Sequence, residues 1–418
     1  MNDILTARLT TLEIFYQVRY KKQNLDDTFE RLASTLDLRD KSFVRMLATT
    51  AMRRCGQIEA ILASLMARPL PNKAKFVQSI LILGACQILF MQTAPHAAVS
   101  TAVGMAKAKD SDFYTKLING VLRNLCRNKN ELLEKFSDPA LNVPDWLYKS
   151  WQKAYGVDEA KRIAAAFLNE PATFISVKKD PDFWAQKLNG KVTQTGSIEL
   201  PSGVYVPHME GFMAGDWWVQ DQAASIPVQL FGDLKGKKVA DFCAAPGGKT
   251  AALLAQGADV DAFDISEKRL ERIKENLNRL GYTTNLIALD ANRIKGQEIY
   301  DAILIDAPCS ATGTIMRHPD LYFHRTPEDV AKLSIVQKKL LKTAHRLLKN
   351  DGLIVYCTCS LQPDEGEKVI ASFADVYTRV PITNARFKPF LTPEGDIRTF
   401  PYQGMDGFFA TLLKKKLQ

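Results

Sequence analysis

From Lys237 onward, short apolar runs alternate with longer stretches of helical period, and this alternation constrains the chain more than any other feature. The runs are Lys238–Phe242, Val260–Phe263, Leu286–Leu289, Ala302–Ile305 and Leu353–Tyr356. Helical segments such as Ser266–Leu280 and Pro327–Leu348 separate most of them. Strands joined through helices pair in parallel, so this half of the chain reads as a doubly wound α/β sheet. Such sheets bind ligands at the carboxyl ends of their strands. The residues at those ends are therefore the ones to read.

The first run leads into Asp241-Phe242-Cys243-Ala244-Ala245-Pro246-Gly247-Gly248-Lys249-Thr250. Small residues there let the backbone approach a ligand, and a helix N-terminus follows. Gly248-Lys249-Thr250 resembles the end of a phosphate-binding P-loop, but the first glycine of that motif would fall on Cys243, so the match fails. Asp264 closes the second strand, 23 residues after Asp241, about the spacing of a carboxylate that holds ribose hydroxyls. Asp290 closes the third strand and Asp306 the fourth. A single Asp after a strand is usually a helix cap. Four at successive strand ends point to a nucleoside-type ligand.

The fourth strand ends in Asp306-Ala307-Pro308-Cys309-Ser310 and the fifth in Cys357-Thr358-Cys359-Ser360. Three readings of these thiols compete. They can be small buried hydrophobes. With Cys243 they can form a four-thiolate zinc site, although no C-x-x-C pair exists and C-x-C suits a tetrahedral site poorly. Or one cysteine is a nucleophile with a carboxylate as acid partner. The five histidines show no ligand spacing, and no metal is expected.

The first 136 residues read as helical. Leu5, Leu9, Leu12 and Tyr16 fall on one helical face, Val77, Leu81 and Ile88 on another, and Leu117, Val121 and Leu125 on a third. The longest nearly apolar run, Ile80–Met91, contains Gln87 and is too short to cross a bilayer. Residues 1–140 hold 20 Lys and Arg against 13 Asp and Glu, a net +7, whereas the remainder nets only +2. The clusters Arg39, Lys41, Arg45, Arg53, Arg54 and Arg123, Arg127, Lys129 favour a polyanion over a merely solvated face. Lys349 and Lys414-Lys415-Lys416 could contact phosphate, but a solvated tail explains them as well. Seven cysteines, an odd number spread over the chain, suit a reducing cytoplasm, and the first ten residues lack the apolar core of a secretory signal. Ser137–Pro144 reads as a linker and residues 145–215 as a mixed α/β region before a domain at 216–418.

Two resemblances gather these features. Ala7-Arg8, the Ile80–Met91 helix and Lys116-Leu117-Ile118-Asn119-Gly120-Val121-Leu122-Arg123 resemble the NusB-like RNA-binding fold over the first third of the chain. DFCAAPGGKT, DAPCSATGT with Arg317-His318-Pro319-Asp320, CTCS, and Asp406-Gly407-Phe408-Phe409-Ala410 are similar to the RNA (cytosine-5) methyltransferase family of the RsmB/Sun/Fmu type, over residues 216–418. Together they imply a multidomain chain. An all-α NusB-like domain would precede an α/β Rossmann-like class I methyltransferase domain with a mostly parallel seven-stranded sheet.

The resemblance further implies S-adenosylmethionine as cofactor, 16S ribosomal RNA as partner, and a cytoplasmic monomer. It places the nucleophile at Cys359, which adds to C6 of cytosine and turns C5 into an enamine-like carbon. It gives Asp306 a proton or hydrogen bond at N3, and Cys309 a part in releasing the product. It assigns Cys243, Ala244, Ala245, Pro246, Gly247, Gly248 and Lys249, with Asp264, Asp290 and Asp306, to the cofactor. Cys357 departs from the family, which more often has Ser there. Two rivals remain: a DNA-type enzyme with Cys309 as nucleophile, and a catalytically silent RNA-binding assembly factor. Methylation of another RNA is a third possibility.

Overall fold

The computed structural model describes residues 3–416. Its contacts group into two compact units. One comprises residues up to 170 together with Ile315–Arg325; the other comprises Pro171–Thr314 and residues from Thr326 onward.

The first unit is helical. Its ten principal helices are α1 (Asp3–Lys21), α2 (Leu25–Leu32), α3 (Leu38–Arg53), α4 (Cys55–Leu65), α5 (Lys75–Phe90), α6 (Pro95–Ala108), α7 (Thr115–Arg127), α8 (Lys129–Lys135), α9 (Asp145–Tyr155) and α10 (Val157–Ala166). The apolar run in α5 is buried from Val77 to Leu89 except at Gln78. Its one interior amide, Gln87, accepts from Arg8 Nε at 2.8 Å, so the polar atom is satisfied inside the core. α1 packs against α2, α3, α5 and α6. It therefore buries Ala7, Ile14, Phe15 and Val18 as well as Leu12, a wider face than its leucine stripe predicts. On α7, Val121 and Leu125 are buried but Leu117 is exposed.

The expected linker is built into this unit. Asn142 Oδ1 accepts from Gln57 N at 2.9 Å, and a Cβ on Gly56 would meet Leu141 O at 1.8 Å. The segment Ile315–Arg325 packs here too. Met316 O accepts from Arg53 Nε at 3.0 Å, Asp320 Oδ2 accepts from Leu25 N at 3.3 Å, and the Arg19 guanidinium lies over Phe323. His318 Nδ1 stands 3.4 Å from Asp26 Oδ2. Burial opposes ionisation of Asp26, yet His318 and Arg45 hold its carboxyl well below the usual range.

The second unit begins with a small antiparallel sheet, β2 (Lys191–Val192), β3 (Ile198–Glu199), β1 (Phe174–Val177) and β4 (Trp217–Val219) in spatial order. The main sheet contains β5 (Lys238–Phe242), β6 (Asp259–Asp264), β7 (Asn285–Ala288), β8 (Tyr300–Asp306), β9 (Leu348–Thr358), β10 (Tyr377–Arg379) and β12 (Phe408–Lys415), in the order β10-β12-β9-β8-β5-β6-β7. An eighth strand, β11 (Ile397–Thr399), pairs with β12. β5 to β9 are mutually parallel, and β12 runs antiparallel to β9. The sheet is thus mixed, with its five sequence-expected strands forming the parallel part. Val239, Ala302, Leu304 and Val355 pack on one face and Ala240, Ile303, Ile305 and Ile354 on the other. Covering on both faces is what turns parallel strands into nearly continuous apolar runs. The chain goes one way from β5 to β6 and β7, and the other way to β8 and β9. The switch point lies where β5 and β8 pair.

Candidate active site

The β5 strand ends at Phe242, and the chain turns through Cys243 (φ 63°) and Gly247 (φ 98°) into α13 (Gly248–Ala255). A Cβ on Gly247 would lie 2.9 Å from Ile273 Cγ2, so both backbone angle and space demand glycine there. Beneath the loop Asp241 is fully buried. Its Oδ2 accepts from Thr250 Oγ1 at 2.6 Å, while Oδ1 has no hydrogen-bond partner among the described residues. Burial pushes this carboxyl up to about 7, against the Thr250 bond. Asp264 is also buried. It accepts from Ala245 N at 3.3 Å and Ser266 N at 3.0 Å, and it pairs with Arg269 at 3.3 Å. Ile265, the next residue, is 74% exposed. Asp290 caps the short turn Ala291–Arg293 by accepting from Asn292 N at 3.0 Å.

Across the switch point, Asp306 Oδ2 accepts from Lys249 Nζ at 2.7 Å. Burial lowers the lysine's pKa, but Asp306 more than offsets this and the net shift is upward. Cys357 Sγ donates to Asp306 Oδ1 at 3.6 Å. Cys309 and Cys359 lie with their sulfurs 3.4 Å apart. Contact with Cys359, then burial, raises the Cys309 thiol well above its ordinary value, so Cys309 keeps its proton. Burial and the neighbouring carboxylates push Cys243 up to about 12. Among the described residues, no group of three or more His, Cys, Asp or Glu is placed to hold a metal ion.

Several members escaped sequence reasoning. Arg269, in an ordinary charged helix, pairs with Asp264 and donates from Nη2 to Ala245 O at 3.1 Å. Glu365 is completely buried against the two cysteine loops. Gly313 and Gly407 meet so closely that a Cβ on Gly313 would fall 1.8 Å from Gly407 O. Gly407, in the C-terminal motif, has no more room: its own Cβ would lie 2.6 Å from Leu361 Cδ2 and 3.0 Å from Gly313 Cα. By contrast, the basic cluster on α3 is partly internal: Arg53 is buried, and Arg45 pairs with Asp26 at 2.6 Å. Lys349, Lys414 and Lys415 likewise each face a carboxylate within 4 Å.

An α/β unit of this strand order, with acidic strand ends around the switch point, defines a methyltransferase, here joined to a helical unit. The comparisons agree. Residues 230–414 match the family described as 16S rRNA methyltransferase RsmB/F, and residues 5–127 match the NusB family. A relative from Klebsiella pneumoniae, named ribosomal RNA small subunit methyltransferase B, is 32% identical, with all of both chains covered. One of the same name from Yersinia pestis is 31% identical over 99% of this chain and 100% of its own. The crystal structure of PH0851 superposes with a TM-score of 0.78 at 22% identity, covering 99% of this chain and 98% of that one. A methyltransferase homologue from Pyrococcus horikoshii gives 0.58 at 28% identity, covering 67% and 98%. The chain belongs to the RsmB/F methyltransferase family, carries a NusB-like helical domain, and uses S-adenosylmethionine.

The residues present fit that cofactor. The small-residue loop leaves its backbone open, an orphaned carboxylate oxygen of Asp241 lies beneath it, and Asp264 with exposed Ile265 offers a carboxylate beside an apolar face. Among the described residues, no helix is long and apolar enough to cross a membrane.

Proposed function

We propose that the protein methylates C5 of a cytosine in 16S ribosomal RNA through a covalent adduct, acting in the cytoplasm as a monomer. The observation that carries this reading is the pair of sulfurs 3.4 Å apart, one on the loop after β8, which presents Asp306, and one on the loop after the neighbouring β9. Bound S-adenosylmethionine supplies an electrophilic methyl group on a sulfonium. Cys243–Lys249 would hold it, with Asp264 for the ribose hydroxyls, Ile265 for the base, and Asp290 and Asp306 beside them. Cys359 adds through sulfur to C6, and the ring electrons move toward N3. The Lys249–Asp306 pair holds the proton that neutralises the charge there. Once C5 carries the methyl group, its proton is lost to water, and Cys359 leaves as the C5–C6 double bond re-forms. Contact with Cys359 and burial keep the Cys309 thiol protonated; it lies 3.4 Å from the leaving sulfur and stabilises it by donating its S–H, which is its part in product release.

The target base must leave its stack to be attacked from above. RNA docking falls to the helical domain, residues 1–136, followed by the intermediate region 145–215 and the catalytic region 216–418. On α7, Lys116, Arg123 and Arg127 are exposed at helical spacing, and the exposed Gly120 between them has no atom within 4 Å of a would-be Cβ. That face lets phosphate approach the helix closely. Bisulfite sequencing of 16S ribosomal RNA from a deletion strain tests the proposal. One cytosine should lose its methyl group and regain it on complementation; an unchanged pattern rejects this substrate.

A further inference from the structure

Glu365 has no part in the chemistry above, yet its carboxylate is buried at the junction of both cysteine loops. Oε1 accepts from Ser310 N at 2.8 Å and from Gln337 Nε2 at 3.3 Å. Oε2 accepts from Ser310 Oγ at 2.5 Å and from Ser360 Oγ at 2.6 Å. Ser310 follows Cys309, and Ser360 follows Cys359. One carboxylate therefore binds the residue after each sulfur.

The carboxylate is itself anchored. Tyr356 OH, on β9, donates to Glu365 O at 2.7 Å. Gln337, on the helix Pro327–Leu347, also donates to Pro308 O at 2.9 Å, just before Cys309. Arg398, held by Glu367 at 2.7 Å, donates to Ser360 O at 2.6 Å. A second bridge runs from Gly313 N to Cys359 O at 3.0 Å. Burying an acid is costly unless it is fully hydrogen-bonded. Burial still raises the Glu365 pKa despite its donors, so the group is kept at a cost. A Leu or Met there would fill the space but could not join the two loops.

We propose that Glu365 is a positioning residue for methyl transfer: its carboxylate ties Ser310 to Ser360 and so sets the separation of the Cys309 and Cys359 sulfurs. The inference rests on the reading that both cysteines act in the reaction. An acceptor with two oxygens can receive a backbone N–H and two hydroxyls together, whereas an apolar residue takes that acceptor away from Ser310 N and leaves the two hydroxyls only their mutual contact at 3.1 Å and the Thr312 hydroxyl. Glu365→Gln keeps the shape and lets the hydroxyls rotate to accept. Glu365→Ala removes the tie.

The test uses the full chain, with 16S ribosomal RNA transcript and S-adenosylmethionine. For Glu365→Ala we expect kcat to fall about 100-fold, the scale of a roughly 1 Å misplacement, with KM for RNA and the dissociation constant for S-adenosylmethionine within about twofold of wild type. Glu365→Gln should recover about a tenth of wild-type kcat or more. Its alkaline limb should move to lower pH, because the negative charge that helps Cys309 retain its proton is gone. A third readout needs no turnover. Diamide, as the oxidant, takes two electrons from the two thiols to form a disulfide and is itself reduced to the hydrazine. In wild type the Cys309–Cys359 disulfide should form rapidly, and in Glu365→Ala at least about tenfold more slowly. Unchanged kcat and unchanged oxidation rate in Glu365→Ala would overturn the inference, as would loss of S-adenosylmethionine binding in Glu365→Gln. Cys309→Ala and Cys359→Ala serve as the separate control. If both keep full turnover, the catalytic reading fails, whereas the oxidation rate still reports on Glu365.

Discussion

On one wall of the strand ends, Cys309 and Cys359 sit on loops tied to one buried carboxylate by a backbone N–H and two hydroxyls, and Gly313 of the first loop packs against Gly407. On the other wall, the Cys243–Gly248 loop is shaped mainly by backbone angles, by Gly247 against Ile273, and by bonds to Asp264. In the proposed reaction the first wall orders the nucleophile and its neighbouring thiol, where a small displacement costs rate. The second would receive the cofactor, where an open backbone and an exposed Ile265 are useful. Braced side chains and open loops are thus matched to different tasks within one sheet.

The largest effect should come from the braced wall. Cys359→Ala is expected to lower methylation by about 10⁴-fold or more and to leave no covalent enzyme–RNA species. Cys309→Ala should also stop turnover, but with a persistent adduct on a denaturing gel that Cys359→Ala removes in the double variant. A trapped adduct in Cys359→Ala instead would reverse the two roles. On the open wall, Asp264→Ala is expected to weaken S-adenosylmethionine binding about tenfold or more by calorimetry, the loss of charged hydrogen bonds worth about 1.5–3 kcal/mol. An unchanged affinity would leave Asp264 as a brace for Ala245 and Arg269 alone.

The open wall was largely legible in the residues themselves. Apolar runs located β5 to β9, and acidic strand ends located Asp264 and Asp306, because parallel sheets repeat one pattern at each strand. Asp241 and Asp290 belong to the same pattern and also make local bonds, one with Thr250 and one as a cap. Periodicity cannot tell a ligand-facing carboxylate from a capping one. The braced wall was legible only at its sulfurs. Glu365, Gln337 and Arg398 are residue types common on surfaces, and they reach the loops from distant positions. Nothing local in the sequence announces that they are buried. The same limit applies to Arg53, which counts as a free positive charge in the sequence but donates to Met316 O inside the helical unit. Ser137–Pro144 looked loose because of its prolines, whereas Asn142 fastens it to Gln57.

Smaller effects sharpen the contrast. Gly247→Ala should destabilise the chain by about 1–3 kcal/mol in urea melts, since the new Cβ meets Ile273 at a positive φ. An equal loss of S-adenosylmethionine affinity would show that stability and binding are coupled on that wall. Smallest, and outside both walls, Arg123→Gln with Arg127→Gln should lower the slope of log affinity for RNA against log salt by about 1 to 2. An unchanged slope would move the RNA face away from α7.

The segment Ile315–Arg325 bears on how freely these parts can be exchanged. The polypeptide passes from one unit to the other after residues 170, 314 and 325, so the two are joined by three covalent crossings. Met316 O, Asp320 and Phe323 take their partners from α3, from the first residue of α2 and from α1, in that order. A cut at the first crossing would free no intact module. It would strip an eleven-residue piece of its packing and leave the helices without a part of their own fold. In evolutionary terms, the helical domain is not a cassette attached at one end. A recombination that replaced it would also have to rewrite the stretch directly after DAPCSATGT.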